Sequence, residues 1–172
     1  MLIRVTVVAL FVCYTSSMVD KLTPEILRQH KGVSFAGITT CFFCTDGQGK
    51  LFLAKRSNKA RDEHGNWDVG GGGLKFGIRA IDNAIREIQE EYSATPTNIE
   101  FIGYRDILRN LPDGTPTHWV ALDFKAVVDP KDVKINEPDM FDDSGWFKLD
   151  DLPAPLHSQV AFGIDKYKQI LS

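Results

Sequence analysis

The sequence predicts an α/β (α+β) fold in which helices pack around a mixed β-sheet, and three observations support this. Strand-like segments lie on both sides of one long helical pattern, which runs from about Arg79 to Tyr92. A second helical pattern, from about Ser158 to Leu171, ends the chain. Strands and helices interleaved in this way pack as layers around one core, so a sandwich is expected.

The first half of the chain contains a short helix and two strands. Thr23 is a preferred N-cap residue and the following Pro24 suits the first helical position, so a helix is expected to begin here. Segments 33–45 and 51–55 are rich in β-branched and aromatic residues, and the turn 46–49 separates them. We therefore expect these two strands to form a hairpin, followed by a polar loop over 57–66.

The second half adds three strands. Segments 99–108 and 118–128 have the composition of longer strands, and the turn signal Leu111-Pro112-Asp113-Gly114 joins them. A short strand is expected at 146–149, shortly before the C-terminal helix.

Composition limits the class of protein. The chain has 172 residues, within the usual range for one domain, with 43% hydrophobic and 25% charged residues. A net charge of −3 gives no electrostatic reason to expect nucleic-acid binding, which requires a basic face. We expect one domain over 18–172, preceded by an apolar extension over 1–17.

The three cysteines do not form the pattern of a disulfide framework or of a zinc site. Cys41 and Cys44 have CxxC spacing, but no second pair completes a tetrahedral site. Within a strand, positions three apart point to opposite faces, so these two are expected to be ordinary core cysteines. The third, Cys13, lies in the N-terminal extension.

The central helix has two distinct faces. Ile81, Ala84, Ile85, Ile88 and Tyr92 form one apolar stripe. Glu87, Glu90 and Glu91 fall within an arc of about 100° beside that stripe. Like charges at this spacing repel, and a Mg²⁺ ion, which takes oxygen ligands, would offset the repulsion. The alternative interpretation is a solvated acidic face.

Four consecutive glycines, Gly70–Gly73, precede this helix. Glycine allows the backbone to approach a ligand closely, in conformations that other residues avoid. A glycine-rich turn that leads into a helix N-terminus also suits anionic groups. A phosphate-containing ligand beside the carboxylates is therefore expected.

The segment Arg86-Glu87-Ile88-Gln89-Glu90-Glu91 resembles the core of the Nudix box, which would span residues 72–94 with its first glycine at Gly72. Ile78 stands where the pattern has its first glutamate, Ser93 where it has its last glycine, and Val69 where a proline commonly precedes the glycines. The resemblance extends from Val33 to Pro153, and includes Trp67, Lys55-Arg56 and the late segment from Glu137 to Leu152-Pro153.

The resemblance implies a Nudix-like α/β/α sandwich and a Mg²⁺-dependent hydrolase, with Mn²⁺ as an alternative metal. The substrate would be a nucleoside diphosphate linked to another group: a nucleoside triphosphate, an oxidised deoxynucleotide, ADP-ribose or a nucleotide sugar. Glu87, Glu90 and Glu91 would bind metal together with the Gly72 carbonyl, and Arg86 would orient the carboxylates. Arg56, Gly71, Gly72 and Gly73 would contact the substrate, and a homodimer is compatible with the sequence.

Two other functions remain open. The missing glutamate at Ile78 is compatible with a catalytically weak nucleotide-binding module. The segment Trp67-Asp68-Val69, with Cys41 or Cys44, also resembles an isopentenyl-diphosphate isomerase-like enzyme, although the intact Glu90-Glu91 pair and the shorter chain favour hydrolysis. A further acidic ligand is expected from the later loop, which contains Glu137, Asp139, Asp142 and Asp143.

Residues 1–17 have the outline of a secretory signal peptide, with an early Arg4, an apolar run over 5–12 and small residues over 15–17. The run is too short for a membrane-spanning helix. The alternatives are an extra β-strand, or an upstream extension with translation beginning at Met18. A nucleotide enzyme is expected in the cytoplasm, which favours these alternatives and leaves secretion open.

Overall fold

The computed structural model describes residues 23–111 and 113–172. The predicted N-terminal extension over 1–17, and the choice between a leader and an extra strand there, lie outside these residues. Within them the elements are α1 (Pro24–His30), β1 (Gly37–Thr45), β2 (Lys50–Arg56), β3 (Trp67–Asp68), β4 (Gly70–Gly73), α2 (Ala80–Tyr92), β5 (Asn98–Asn110), β6 (Pro116–Val127), β7 (Phe141–Lys148) and α3 (Ser158–Leu171).

The strands form one mixed sheet, as predicted. Its main path is β3-β2-β1-β6-β5, with β4 paired to β1 and β7 paired to β2. The β1–β6 pairing is parallel, and the others are antiparallel. The two longest strands, β5 and β6, pair from Asn98↔Val127 to Asn110↔Pro116, with one irregularity near Gly103.

The predicted hairpin between β1 and β2 forms only beside its turn. The two strands share a single registered pair, Thr45↔Leu51, and then diverge. Beyond that pair β4 takes the edge of β1, from Phe42↔Gly70 to Thr39↔Gly73, while β2 pairs with β7. The glycine run is therefore a strand rather than the predicted turn. The sheet opens between β1 and β2, and the glycines lie beside β1.

Helices cover both faces of the sheet, which confirms the sandwich. On one face α2 packs Ala84, Ile88 and Tyr92 against aromatic residues of the sheet, with Tyr92 edge-on to Phe42 and Phe52. On the other face α3 packs against a second cluster: Phe43, Leu51, Leu53, Trp67, Val69, Val160, Ile164, Tyr167 and Leu171. The sheet is buried on both sides over its centre.

The ends of the helices follow their local sequence. The Thr23 hydroxyl accepts the backbone N–H of Ile26 at the start of α1, as predicted. Helix α2 ends at Ser93, which has a φ of 54° and a ψ of 4°. This left-handed conformation favours glycine, so Ser93 carries backbone strain, and its hydroxyl donates to Asn136 at 2.6 Å. No helix in the described parts of the chain is both long and apolar enough to cross a membrane.

A buried ion pair joins β5, β6 and α3. Arg105 donates to both carboxylate oxygens of Asp123, at 2.7 and 2.8 Å, and both side chains are almost completely buried. The Tyr167 hydroxyl donates to the same carboxylate at 2.9 Å, and Arg105 Nη1 donates to the backbone carbonyl of Gln159. Two strands and the C-terminal helix therefore meet at one charged cluster.

We predict that Asp123→Asn lowers the free energy of unfolding by about 3–5 kcal/mol, because it leaves the Arg105 charge buried without a counter-ion. Tyr167→Phe removes one hydrogen bond and should cost about 1 kcal/mol. The matched control is Asp106→Asn, because Asp106 forms an exposed pair with His118 on the same two strands, and its loss should cost no more than about 1 kcal/mol. Urea unfolding of the three variants gives the values, and equal losses would contradict the prediction.

Candidate functional site

A cavity of about 360 Å³ opens between β4, the face of the sheet that carries α3, and the loop over 57–66. Gly70–Gly73 and Glu91 lie at one end of it, and Trp119 and Ile107 form part of its wall. Its remaining lining includes four arginines, which are Arg56, Arg61, Arg105 and Arg109. The predicted glycines and one of the predicted glutamates therefore face the same space.

The glycines of β4 leave room for the carboxylates of α2. A Cβ atom on Gly72 would lie 2.1 Å from the Glu87 carboxylate carbon, and one on Gly70 would lie 2.7 Å from Glu91 Oε2. A Cβ on Gly71 would lie 2.8 Å from the Thr40 carbonyl oxygen. Side chains at Gly70 and Gly72 would therefore push α2 away from the sheet, whereas one at Gly71 would clash with β1. None of the three requires a positive φ, so close approach is the reason for glycine here.

Arg86 forms ion pairs with two of the three predicted glutamates. Its Nη2 contacts Glu87 and its Nη1 contacts Glu90, one helical turn later. Glu87 is largely buried, whereas half of the Glu90 side chain is exposed. These are the contacts expected of a residue that orients carboxylates.

Glu91 is directed into the protein rather than toward Arg86. Its Oε2 is buried and has no hydrogen-bond partner, and the residue lines the cavity beside β4. Burial, together with the charges of Glu87 and Glu137, raises the pKa of Glu91 well above its ordinary value. The backbone N–H of Gly71 opposes this shift. A buried carboxylate oxygen without a partner, such as this Oε2, is costly unless a ligand completes its environment.

Asn83 is the residue that sequence reasoning missed. It is a polar residue that no sequence pattern singles out, yet it is fully buried. Its Nδ2 donates to Thr40 Oγ1 at 2.8 Å, while its Oδ1 accepts from Arg86 Nη2 at 2.9 Å and from the backbone N–H of Lys75 at 3.3 Å. Ile78, at the position of the missing glutamate, is partly exposed. One amide thus connects β1, the loop before α2 and Arg86.

The Gly72 carbonyl, a predicted metal ligand, accepts hydrogen bonds from Thr39 Oγ1 at 2.9 Å and Thr40 Oγ1 at 3.3 Å. A metal ion at this carbonyl would replace at least one of these hydroxyls. Among the described residues, no three His, Cys, Asp or Glu side chains converge as a ready metal site. Instead, the Arg86 guanidinium forms ion pairs with the carboxylates of Glu87 and Glu90.

The donor set nevertheless fits a hard divalent cation. Carboxylate oxygens are the ligands Mg²⁺ prefers, and the helix places three of them on one side of α2. The unpartnered Glu91 Oε2 is a vacant acceptor, and the missing Cβ of Gly72 leaves the Glu87 carboxylate against the open backbone of β4. An ion bound here would also offset both the burial and the carboxylate repulsion that raise the pKa of Glu91.

Arg56, the predicted phosphate contact, lines the cavity but is already engaged. Its Nη1 donates to Asp68 at 2.7 Å, its Nη2 to Asp62 Oδ1 at 2.8 Å, and its Nε to the Asp62 carbonyl. Asp62 also pairs with Arg109 at 3.0 Å. The interaction with His157, followed by the charge of Arg109, lowers the pKa of Asp62 below its ordinary value. The polar loop is therefore held by an ion-pair network.

Of the four acidic residues in the late loop, Glu137 is the one that lines the cavity. Asp139 pairs with Lys59 at 2.8 Å, and Asp143 accepts the backbone N–H of Ser144. Asp142 is exposed. Of the four candidates for a further acidic ligand, Glu137 is therefore the one whose position suits that role.

The two described cysteines lie on opposite faces of β1, as the spacing predicts. Cys44 is buried in the cluster beneath α2, so the interpretation as a core residue is confirmed for it. Cys41 is only partly buried and lines the cavity, so the same interpretation is wrong for Cys41. Burial and the nearby charge of Asp123 raise the pKa of the Cys41 thiol to about 12.

Comparisons with solved structures identify relatives of this fold. The MutT NUDIX hydrolase from Burkholderia pseudomallei aligns with 27% identity and a TM-score of 0.67, over 76% of this chain and 97% of its own. The NUDIX domain of Shewanella oneidensis NrtR, solved with ADP ribose, aligns with 20% identity and a TM-score of 0.65, over 92% and 99%. The MutT protein from Methanosarcina mazei aligns with 20% identity and a TM-score of 0.61, over 78% and 94%.

The sequence itself matches the family model described as the NUDIX domain over residues 36–166, which is well over half of the chain. The match includes both β4 and α2, the elements that bring glycines and glutamates together. The chain therefore belongs to the NUDIX domain family and is a Nudix-type pyrophosphohydrolase.

Proposed function

We propose that this protein is a Mg²⁺-dependent hydrolase that cleaves the diphosphate of a nucleoside diphosphate linked to another group. The observation that carries the proposal is the contact between the carboxylates of α2 and the side-chain-free backbone of β4, at one end of a cavity. Mn²⁺ would serve as an alternative metal. The ADP ribose in the Shewanella oneidensis NrtR structure supports a nucleotide derivative as the ligand class.

Glu87, Glu90 and Glu91 would hold the metal, with the Gly72 carbonyl as a further ligand. Bound there, Mg²⁺ supplies neutralisation of diphosphate charge and a lower pKa for a bound water. Glu137, which faces the same end of the cavity, is our candidate for an additional acidic ligand. Arg86 keeps Glu87 and Glu90 oriented through its two ion pairs.

Glu91 is the residue we propose as the general base. It lines the cavity, it is buried, and its Oε2 is free to accept a proton from an attacking water. Glu87 and Glu90 are less suited because Arg86 already occupies an oxygen of each. The backbone of Gly71–Gly73 and the Arg56 guanidinium would contact the phosphates. For Arg56 this requires that one of its bonds to Asp62 or Asp68 be shared with the substrate.

Replacing Glu91 by Gln should lower kcat by about 10²–10⁴-fold, since the amide keeps the size of the side chain but cannot take a proton. Glu90→Gln should abolish metal-dependent turnover, because it removes a carboxylate that we propose as a metal ligand. The measurement is phosphate or pyrophosphate release from a panel containing 8-oxo-dGTP, ADP-ribose, nucleotide sugars and dinucleoside polyphosphates, titrated with Mg²⁺.

Glu100→Gln, at an exposed position on β5, is the control for a change of charge alone. Circular dichroism should show unchanged folding in all three variants. Full activity in Glu90→Gln and Glu91→Gln would refute the assignment. Tight nucleotide binding without turnover by the unmodified protein would instead support the binding-module alternative.

Replacing the buried Asn83 by Leu should lower kcat by about 10–100-fold with a small change in KM, because Asn83 positions Arg86 and the loop before α2. As a positioning residue it should also raise the Mg²⁺ concentration needed for half-maximal activity. Initial rates over substrate and Mg²⁺ concentrations give both quantities.

The matched control for Asn83 is Asp82→Asn, because Asp82 is the preceding helix residue and pairs with Arg79 at the surface. A Leu variant whose Mg²⁺ dependence is unchanged, and whose loss of activity follows its loss of stability alone, would show that Asn83 only supports the fold.

A further inference from the structure

The wall of the cavity includes the indole ring of Trp119, on β6, which is separated from β4 by β1. Trp119 is a half-buried residue of β6 and lies directly between Gly37 of β1 and Ile107 of β5 in the sheet register. Its indole therefore stands on the same face of the sheet as the cavity floor. Trp67 and Trp146, by contrast, pack against Phe147 and Phe52 in the two cores.

The indole of Trp119 packs against the backbone of two glycines, Gly32 and Gly37. A Cβ on Gly37 would lie 2.5 Å from the ring, and one on Gly32 would lie 2.3 Å from it. The positive φ of Gly32, 80°, allows the tight turn that brings this backbone to the ring. The indole is thus held against main chain on both glycines, and its orientation is fixed without a substrate.

Two cationic groups lie over this ring. Lys31 Nζ is 5.6 Å and Arg61 Cζ is 6.0 Å from a ring centroid of Trp119. Lys31 also donates to the Leu74 carbonyl, which ties it to the segment that follows β4. Two thirds of the Arg61 side chain is exposed, and its ion-pair contact with Asp62 is a long one, 3.6 Å. Arg61 can therefore shift at little cost.

We propose that Trp119 is the platform on which the purine base of the substrate stacks, with the Arg61 guanidinium closing over the outer face of the base. This inference rests on the proposed function, because it places the base of the nucleotide whose diphosphate lies at Glu91. Aromatic rings and arginine planes are the surfaces on which unpaired bases stack in proteins. The base would stack on the indole with one face and on the guanidinium with the other.

The position of Trp119 relative to β4 suits such a substrate. Gly73 of β4 is level with Thr39 of β1, which is level with Ala121 of β6. Trp119 therefore lies two strand spacings across the sheet from Gly73, about 10 Å, and two residues along it, about 7 Å, which is roughly 12 Å in all. A ribose and its phosphates bridge a distance of this order. The next residue of β6 on the same face is Ala121, which is small and fully buried. A two-ring purine overlaps the indole more than a pyrimidine does and should bind more tightly.

The test measures binding rather than turnover, with three non-hydrolysable probes: α,β-methylene-ADP, α,β-methylene-UDP and the abasic ribose 5-(α,β-methylene)diphosphate. For the full chain with Mg²⁺, Trp119→Leu should raise the Kd for α,β-methylene-ADP about 5- to 150-fold, the equivalent of one base–aromatic stack. The Kd for the abasic probe should change less than about twofold, and Trp119→Phe should retain most of the affinity.

Two further variants keep the test independent of folding. Arg61→Leu changes an exposed side chain and should weaken α,β-methylene-ADP severalfold more than the abasic probe. Phe162→Leu, which removes an exposed ring on α3, should change neither Kd. Binding of α,β-methylene-ADP should also quench indole fluorescence in the unmodified protein, and this quenching should disappear in Trp119→Phe.

Equal losses of affinity for the abasic and purine probes in Trp119→Leu would overturn the stacking proposal, as would fluorescence quenching that survives in Trp119→Phe. An α,β-methylene-UDP affinity equal to that of α,β-methylene-ADP would overturn the purine preference. Hydrolysis does not enter these measurements. Failure of the proposed function, seen as the absence of Mg²⁺-dependent turnover by the unmodified protein, is therefore distinguishable from failure of this inference.

Discussion

The site depends on one steric constraint, which is that β4 carries no side chains where α2 crosses it. Cβ atoms at Gly70 and Gly72 would overlap Phe42, Glu87 and Glu91. Without them the helix lies close enough for carboxylates to reach the backbone of a strand, and the strand in turn pairs with β1 at the centre of the sheet. The chemistry and the packing therefore use the same contact. Moving the helix outward would disturb the core cluster around Tyr92 as well as the carboxylates.

Local sequence patterns were enough to predict the helices and the acidic face. Periodicity places Ala84, Ile88 and Tyr92 on one stripe, and the structure buries all three. Capping residues mark the start of α1 in the same local way. The glutamates follow from the register of α2, since residues on one helix keep their angular relation wherever the helix packs. The mixed sheet also follows, because the order of strands and helices leaves few ways to layer them.

What could not be predicted depends on contacts between distant parts of the chain. Four glycines have no side-chain period, so nothing local indicates that Gly70–Gly73 pair with β1 as a strand. Asn83 has the sequence appearance of a surface residue, and its burial follows only from the partners Thr40 and Lys75. Trp119 likewise looks like any strand aromatic until Gly32 and Gly37 are seen beneath it. The paired state of Arg56 arises from a loop whose sequence is merely polar.

The charges that line the cavity favour a metal ion, rather than arginines, as the group that neutralises a bound diphosphate. Arg56 and Arg109 are held by Asp62, and Arg105 is held by Asp123, so most of the positive charge around the cavity is already matched. The end beside β4 instead presents carboxylates, and burial together with their mutual repulsion raises the pKa of Glu91. A diphosphate entering that end would add negative charge to negative charge. Divalent cations between the two reverse the sign of the interaction, so substrate and metal should bind there together rather than independently.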